Sequence, residues 1–218
     1  GISSHAASLT MGSMGTITAG QAWGGNSPAY DEQVPQAYEQ ASDRQQNAAN
    51  QVGNWMDNGG LTWVPPAIDL GAMTVQAHVG WSPDADDAAT NNGSVGTKSG
   101  TWGMGTDLGI TITGLVDGLT IGGYVAEREN ENPFSTAGNR AHDEFNGSWY
   151  AKYTMGSVSF GYSEAHYDSG ISAASVTAAT TAKTVGTSAG HFDNTQMSIA
   201  FNVNDNLSIS YTDSEDTY

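Results

Sequence analysis

The run Met197-Ser198-Ile199-Ala200-Phe201-Asn202-Val203, then Asn204-Asp205-Asn206, then Leu207-Ser208-Ile209-Ser210-Tyr211-Thr212 decides the fold. Apolar side chains recur at every second position on both sides of a polar three-residue turn. A period of two puts all of them on one face of a β-hairpin and leaves Ser, Ala, Asn and Thr on the other. The same grammar governs Trp149, Ala151, Tyr153 and Met155, which pass through Gly156-Ser157 into Val158, Phe160 and Tyr162. It recurs in Leu108, Ile110 and Ile112, through Val116-Asp117-Gly118, to Leu119, Ile121 and Val125. Met73, Val75, Ala77, Val79 and Trp81 form another strand, and Ala7, Leu9 and Met11 lead through Gly12-Ser13 to Ile17 and Ala19. The pattern predicts an all-β chain of about ten strands, most near the 9–11 residues that a tilted membrane strand needs.

The connections sharpen this reading. Short turns fall near residues 12–15, 65–71, 116–118, 156–157 and 204–206, and long polar links near 24–57, 83–104, 131–142 and 169–190. Short and long alternate strictly, so every long link leaves the same end of the sheet. An up-and-down transmembrane barrel has this layout, with short periplasmic turns and long extracellular loops. The competing reading is a secreted or surface-anchored β-rich module for adhesion or ligand binding. The chain opens inside a strand pattern and stops after another, so the expectation is an internal part of a longer barrel.

Composition closes off other classes. The 218 residues carry 23 Asp and Glu against 6 Lys and Arg, a formal charge of −17. That excludes nucleic-acid binding, which needs clustered cations, and docking on anionic headgroups through a basic surface. Hydrophobic residues make up 38% of the chain and cluster in alternating runs, which separates it from disordered acidic segments. There is no Cys, so disulfides and thiolate metal sites are out. No apolar run reaches the ~18 residues of a membrane helix. The mean hydropathy of −0.38 is compatible with a barrel, in which alternate residues alone face lipid.

The segment Thr10-Met11-Gly12-Ser13-Met14-Gly15-Thr16-Ile17-Thr18-Ala19-Gly20 is similar to a hairpin of Gram-negative general diffusion porins of the alphaproteobacterial, marine type. Pro28-Ala29-Tyr30-Asp31-Glu32-Gln33-Val34-Pro35-Gln36-Ala37-Tyr38-Glu39 resembles the start of that family's inward-folded third loop. Trp149 through Gly156 and Phe201 through Ser208 resemble its later hairpins. The resemblance implies about ten strands of a 16-stranded outer-membrane barrel, a homotrimer among lipid and lipopolysaccharide that passes small polar solutes.

Candidate site residues follow from position. The link 24–57 is too long and polar for a plain connection, and it holds Asp31, Glu32, Glu39, Asp43 and Asp57 against Arg44 alone. Folded inward as a constriction loop, its acidic side (Asp31, Glu32, Glu39, Asp43) would concentrate cations. Strand parity puts Arg128 and Lys152 on the polar wall, where they would form the opposing basic side. Trp23, Trp63, Trp81, Trp149, Tyr153, Tyr162 and Tyr211 read as an aromatic girdle. Asp84, Asp86 and Asp87 are a weak candidate for loosely bound Ca²⁺, lacking the glycine and closing glutamate of an EF-hand loop. The five His are scattered without metal-ligand spacing, so no catalytic site and no cofactor is expected, and the chain reads as a channel rather than an enzyme.

Overall fold

A computed structural model of the protein describes residues 4–21, 25–31, 33–37, 59–85, 102–130, 142–168 and 191–217. Eleven strands follow in chain order: β1 (His5–Thr10), β2 (Thr16–Gln21), β3 (Gly60–Val64), β4 (Ile68–Asp69), β5 (Thr74–Ser82), β6 (Trp102–Thr113), β7 (Leu119–Asn130), β8 (Glu144–Met155), β9 (Val158–Asp168), β10 (His191–Asn204) and β11 (Leu207–Thr217). They form one antiparallel sheet in which each strand pairs its sequence neighbours, with β4 a two-residue flap on β5. The fold is all-β, as the alternation predicts. Strand β6 starts at Trp102, inside the span 83–104 read as a loop. Gly103 and Gly105 leave only Met104 to mark the alternation there.

Tight turns sit at one end. Gly156 adopts φ 61°, which lets the β8–β9 chain reverse in two residues. Gly118 adopts φ 79° and accepts a hydrogen bond from the Thr154 amide at 2.9 Å, where a side chain would overlap the Thr154 carbonyl. Left-handed backbone of this kind is open to glycine at little cost and strained for other residues.

Register carries the three-dimensional shape. A row of paired residues runs from Ile17 through Trp63, Val79, Leu108, Val125, Gly147, His166 and Asp193 to Thr217. It begins two residues past Gly15 of the β1–β2 turn and ends eleven past Asn206 of the β10–β11 turn. Nine residues of drift at about 3.3 Å, over eight strand spacings of about 4.8 Å, correspond to a tilt of about 40°. Barrel walls tilt by roughly 35–45°. Within the described residues, β1 and β11 each pair with a single strand.

The polarity of the sheet is inverted relative to a water-soluble sandwich. Among the described residues, the buried set holds eight apolar and thirteen polar or charged side chains. One face carries Phe160, Ile199, Phe201, Leu207 and Ile209 in the open, between 38% and 55% exposed. The opposite face carries Ser163, Gln196, Ser198, Asn146 and Asp107, all buried.

Candidate functional site

The cover over the polar face comes from the chain itself. Residues 25–31 and 33–37, the described part of the long link after β2, run across that face from β5 to β11. A 3-10 turn at Ser27–Ala29, with Pro28 in its first positions, delivers Tyr30 to the wall. Tyr30 is 1% exposed and stacks on Tyr124, ring centroids 5.3 Å apart. Thr111 Oγ1 donates to its phenol at 3.4 Å, and the phenol shares a second hydrogen bond of 2.6 Å with His78 Nδ1. Gly109 lies beneath the ring, and a Cβ there would overlap it. Burial pushes the Tyr30 phenol up to about 12, against the smaller opposing effect of the Thr111 bond.

Further contacts fasten the segment along its length. Asn26 Nδ2 donates to Asp107 Oδ1 at 2.7 Å, and the Tyr124 hydroxyl donates to Asp107 Oδ2 at 3.0 Å. Lys152 Nζ donates to Gln33 Oε1 at 2.8 Å and lies 5.0 Å from the Tyr150 ring centre. Gln33 Nε2 in turn donates to the Asp31 carbonyl at 3.0 Å. Pro35 rests on Gly161 and its carbonyl accepts from Ser198 Oγ. The Ala37 amide donates to Ser210 Oγ at 2.9 Å on β11.

A second cluster lies nearer the long-loop end. Arg128 Nη2 and the Tyr167 hydroxyl both donate to Glu144 Oε2 at 2.8 Å, and Arg128 Nη1 donates to the Ala85 carbonyl at 2.9 Å. Arg128 is 7% exposed and Glu144 1%. A charged pair this deep answers to structure before it answers to solutes.

The residues singled out from sequence therefore fall in different places. Asp31 lies half-buried in the covering segment, while Glu32, Glu39, Asp43, Asp57 and Trp23 lie outside the described residues. Arg128 and Lys152 both project from the polar face, Arg128 into its pair with Glu144 and Lys152 onto the covering segment. Trp63, Trp81, Trp149, Tyr153, Tyr162 and Tyr211 project from the apolar face. There Trp149 and Tyr162 pack 5.4 Å apart and both bond the Glu164 carboxylate, and Trp63 Nε1 donates to the Met14 carbonyl at 2.8 Å. Asp84 accepts from Ser82 Oγ through its carbonyl, and Asp86 and Asp87 lie outside the described residues. Among the described residues no three His, Asp or Glu gather as a metal site.

Sequence reasoning missed Asp107, His78, Gln33 and Glu144. Glu144 had a signal: it stands directly across from Arg128 in the β7–β8 register. The others announce themselves only through the covering segment.

No protein-family model matches the chain, and no curated protein matches it in sequence. A solved porin structure aligns over 95% of this chain and 74% of its own, at 12% identity and a TM-score of 0.43. At that score the likeness carries no weight for function.

Proposed function

We propose that the chain forms the wall and inner loop of a passive, water-filled channel in the outer membrane of a Gram-negative bacterium. It passes small hydrophilic solutes and ions, leans towards cations, and works as a homotrimer among lipid and lipopolysaccharide. The observation behind this reading is the inverted sheet: a polar face covered by its own loop, and an apolar face left open. In water each large apolar side chain on that open face forgoes about 1.5–3 kcal/mol of burial. Lipid removes the deficit, and a sheet satisfies its backbone in lipid because each interior strand is paired on both edges.

Detergent dependence and conductance test it together. The full-length protein should fold only in detergent or lipid and give stepwise ohmic currents in planar bilayers. A monomer that folds in plain buffer and leaves bilayers silent would overturn the channel.

A further inference from the structure

We infer that Gly109 and Gly161 are two sockets in the wall that set how far residues 25–31 and 33–37 stand off it, and so fix the cross-section of the opening at that level. The inference rests on the channel reading and adds the residues that position its loop.

Glycines on the two faces of the sheet behave differently. On the apolar face, a Cβ added at Gly123 meets its nearest atom at 3.9 Å and one at Gly147 at 3.4 Å. Both are ordinary contacts, so neither position demands glycine. On the polar face, a Cβ at Gly109 would enter the Tyr30 ring. One at Gly161 would enter Pro35 and come 3.1 Å from the Val34 Cα. Neither neighbour can step aside easily. Tyr30 is 1% exposed between Tyr124 and His78, and Pro35 is a rigid ring whose carbonyl is bonded to Ser198.

The segment is fastened to the wall at Asn26, Tyr30, Gln33 and Pro35. Gly109 and Gly161 lie three strands apart on β6 and β9, and Gly109 is in line with Ala165, four residues along β9 from Gly161. Strand spacing and rise put them on the order of 19 Å apart along the sheet. The described residues between the sockets are held to the wall as well, Gln33 by the Lys152 ammonium, and Gln33 in turn donates to the Asp31 carbonyl. A side chain added in either socket therefore moves the segment off the wall instead of being absorbed by a loose loop, and the only direction available is into the opening.

The test uses the full-length protein in planar bilayers, with Gly109→Ala and Gly161→Ala examined alone and combined with Tyr30→Ala and Pro35→Ala respectively. Each glycine variant should lower unitary conductance; the loss should vanish for Gly109→Ala once Tyr30 is truncated and shrink for Gly161→Ala once Pro35 is, where the Val34 Cα stays 3.1 Å from the added Cβ. Gly123→Ala, on the other face, should conduct like the parent. Urea midpoints in detergent give a second reading, in which Gly109→Ala should destabilise the parent but not the Tyr30→Ala protein. If Gly109→Ala does not fold, recovery of folding by added Tyr30→Ala supports the socket. Parent-like conductance in both glycine variants, or losses left undiminished by truncation, would overturn the inference while leaving the channel standing. If the parent itself gives no current, the channel fails, and the urea cycle still decides whether the sockets seat the segment.

Discussion

Replacing Glu144 with Gln keeps the shape of the side chain and removes one charge from a buried pair. Glu144 Oε2 receives Arg128 and Tyr167, both at 2.8 Å, and the carboxylate is 1% exposed. The guanidinium of Arg128 would then lose the counter-charge that Glu144 supplies, while keeping its bond to the Ala85 carbonyl. Breaking one side of such a pair costs about 3–5 kcal/mol, whereas replacing both sides with apolar groups of similar volume is often neutral. Glu144→Gln should therefore lower stability by about 3–5 kcal/mol. Arg128→Met combined with Glu144→Leu should recover most of that. Urea titration of the detergent-folded protein, followed by the fluorescence of its six Trp, reads both numbers, provided the slope of the transition is unchanged. A single variant within about 1 kcal/mol of the parent would mean that the pair is solvated in solution, as exposed pairs are, and that Arg128 is open to passing ions.

Tyr30 supplies a pH prediction. Its folded value of about 12 lies above the ordinary phenol value near 10, so its contribution is complete below about pH 10 and fades as pH rises from about 10 to 12. Alkaline unfolding should show that loss, and Tyr30→Phe should remove it. Changing Asp31 to Asn and Glu32 to Gln should shift bilayer reversal potentials away from cations; an unchanged potential would remove these carboxylates from the selectivity mechanism. Lys152→Gln should move the potential the other way. A charge at an outward position such as Phe201→Lys should reduce stability in lipid by about 2–4 kcal/mol if it sits near mid-bilayer, while Ser208→Lys on the polar face should be tolerated; equal effects would contradict the assignment of faces.

The wall was legible in the sequence because one physical rule writes it everywhere. A strand with lipid-compatible groups on one side and polar groups on the other must alternate, and a slip of one residue would reverse every side chain. Hence Phe201 and Ile209 pair as the hairpin reading requires, and the short turns mark the ends. The covering segment obeys no such local rule. Tyr30 finds His78 across 48 residues, and Pro35 finds Ser198 across 163. Neither contact leaves a period or a motif. The wall glycines carry no such signal either, since only the segment lying over them distinguishes Gly109 and Gly161 from the other small residues of their strands. Parity placed Arg128 and Lys152 on the same side but could not rank them, because their difference lies in their partners.

Those partners decide which charges a solute could feel. Arg128 and Glu144 cancel within one buried contact, and an ion farther away than about a Debye length of roughly 8–10 Å feels little of either. Lys152 is bonded to the neutral amide of Gln33, so its charge is held in place without being cancelled there. Asp107 is likewise held by Asn26 and Tyr124, both neutral donors. It lies in the wall at 6% exposure, with the Tyr30 segment between it and the opening. Asp31 rides on that same segment, two residues from Gln33, which joins it to Lys152 through its own carbonyl. Under the proposed channel, the described charges that bear on the field at this level are Lys152 on the wall and Asp31 on the segment docked against it, and the proposed seating of Tyr30 and Pro35 would govern their spacing. Geometry and charge are tied here: a substitution that lifts the segment also moves Asp31 relative to Lys152, so conductance and selectivity should change together when a socket is filled, and separately when a charge alone is removed.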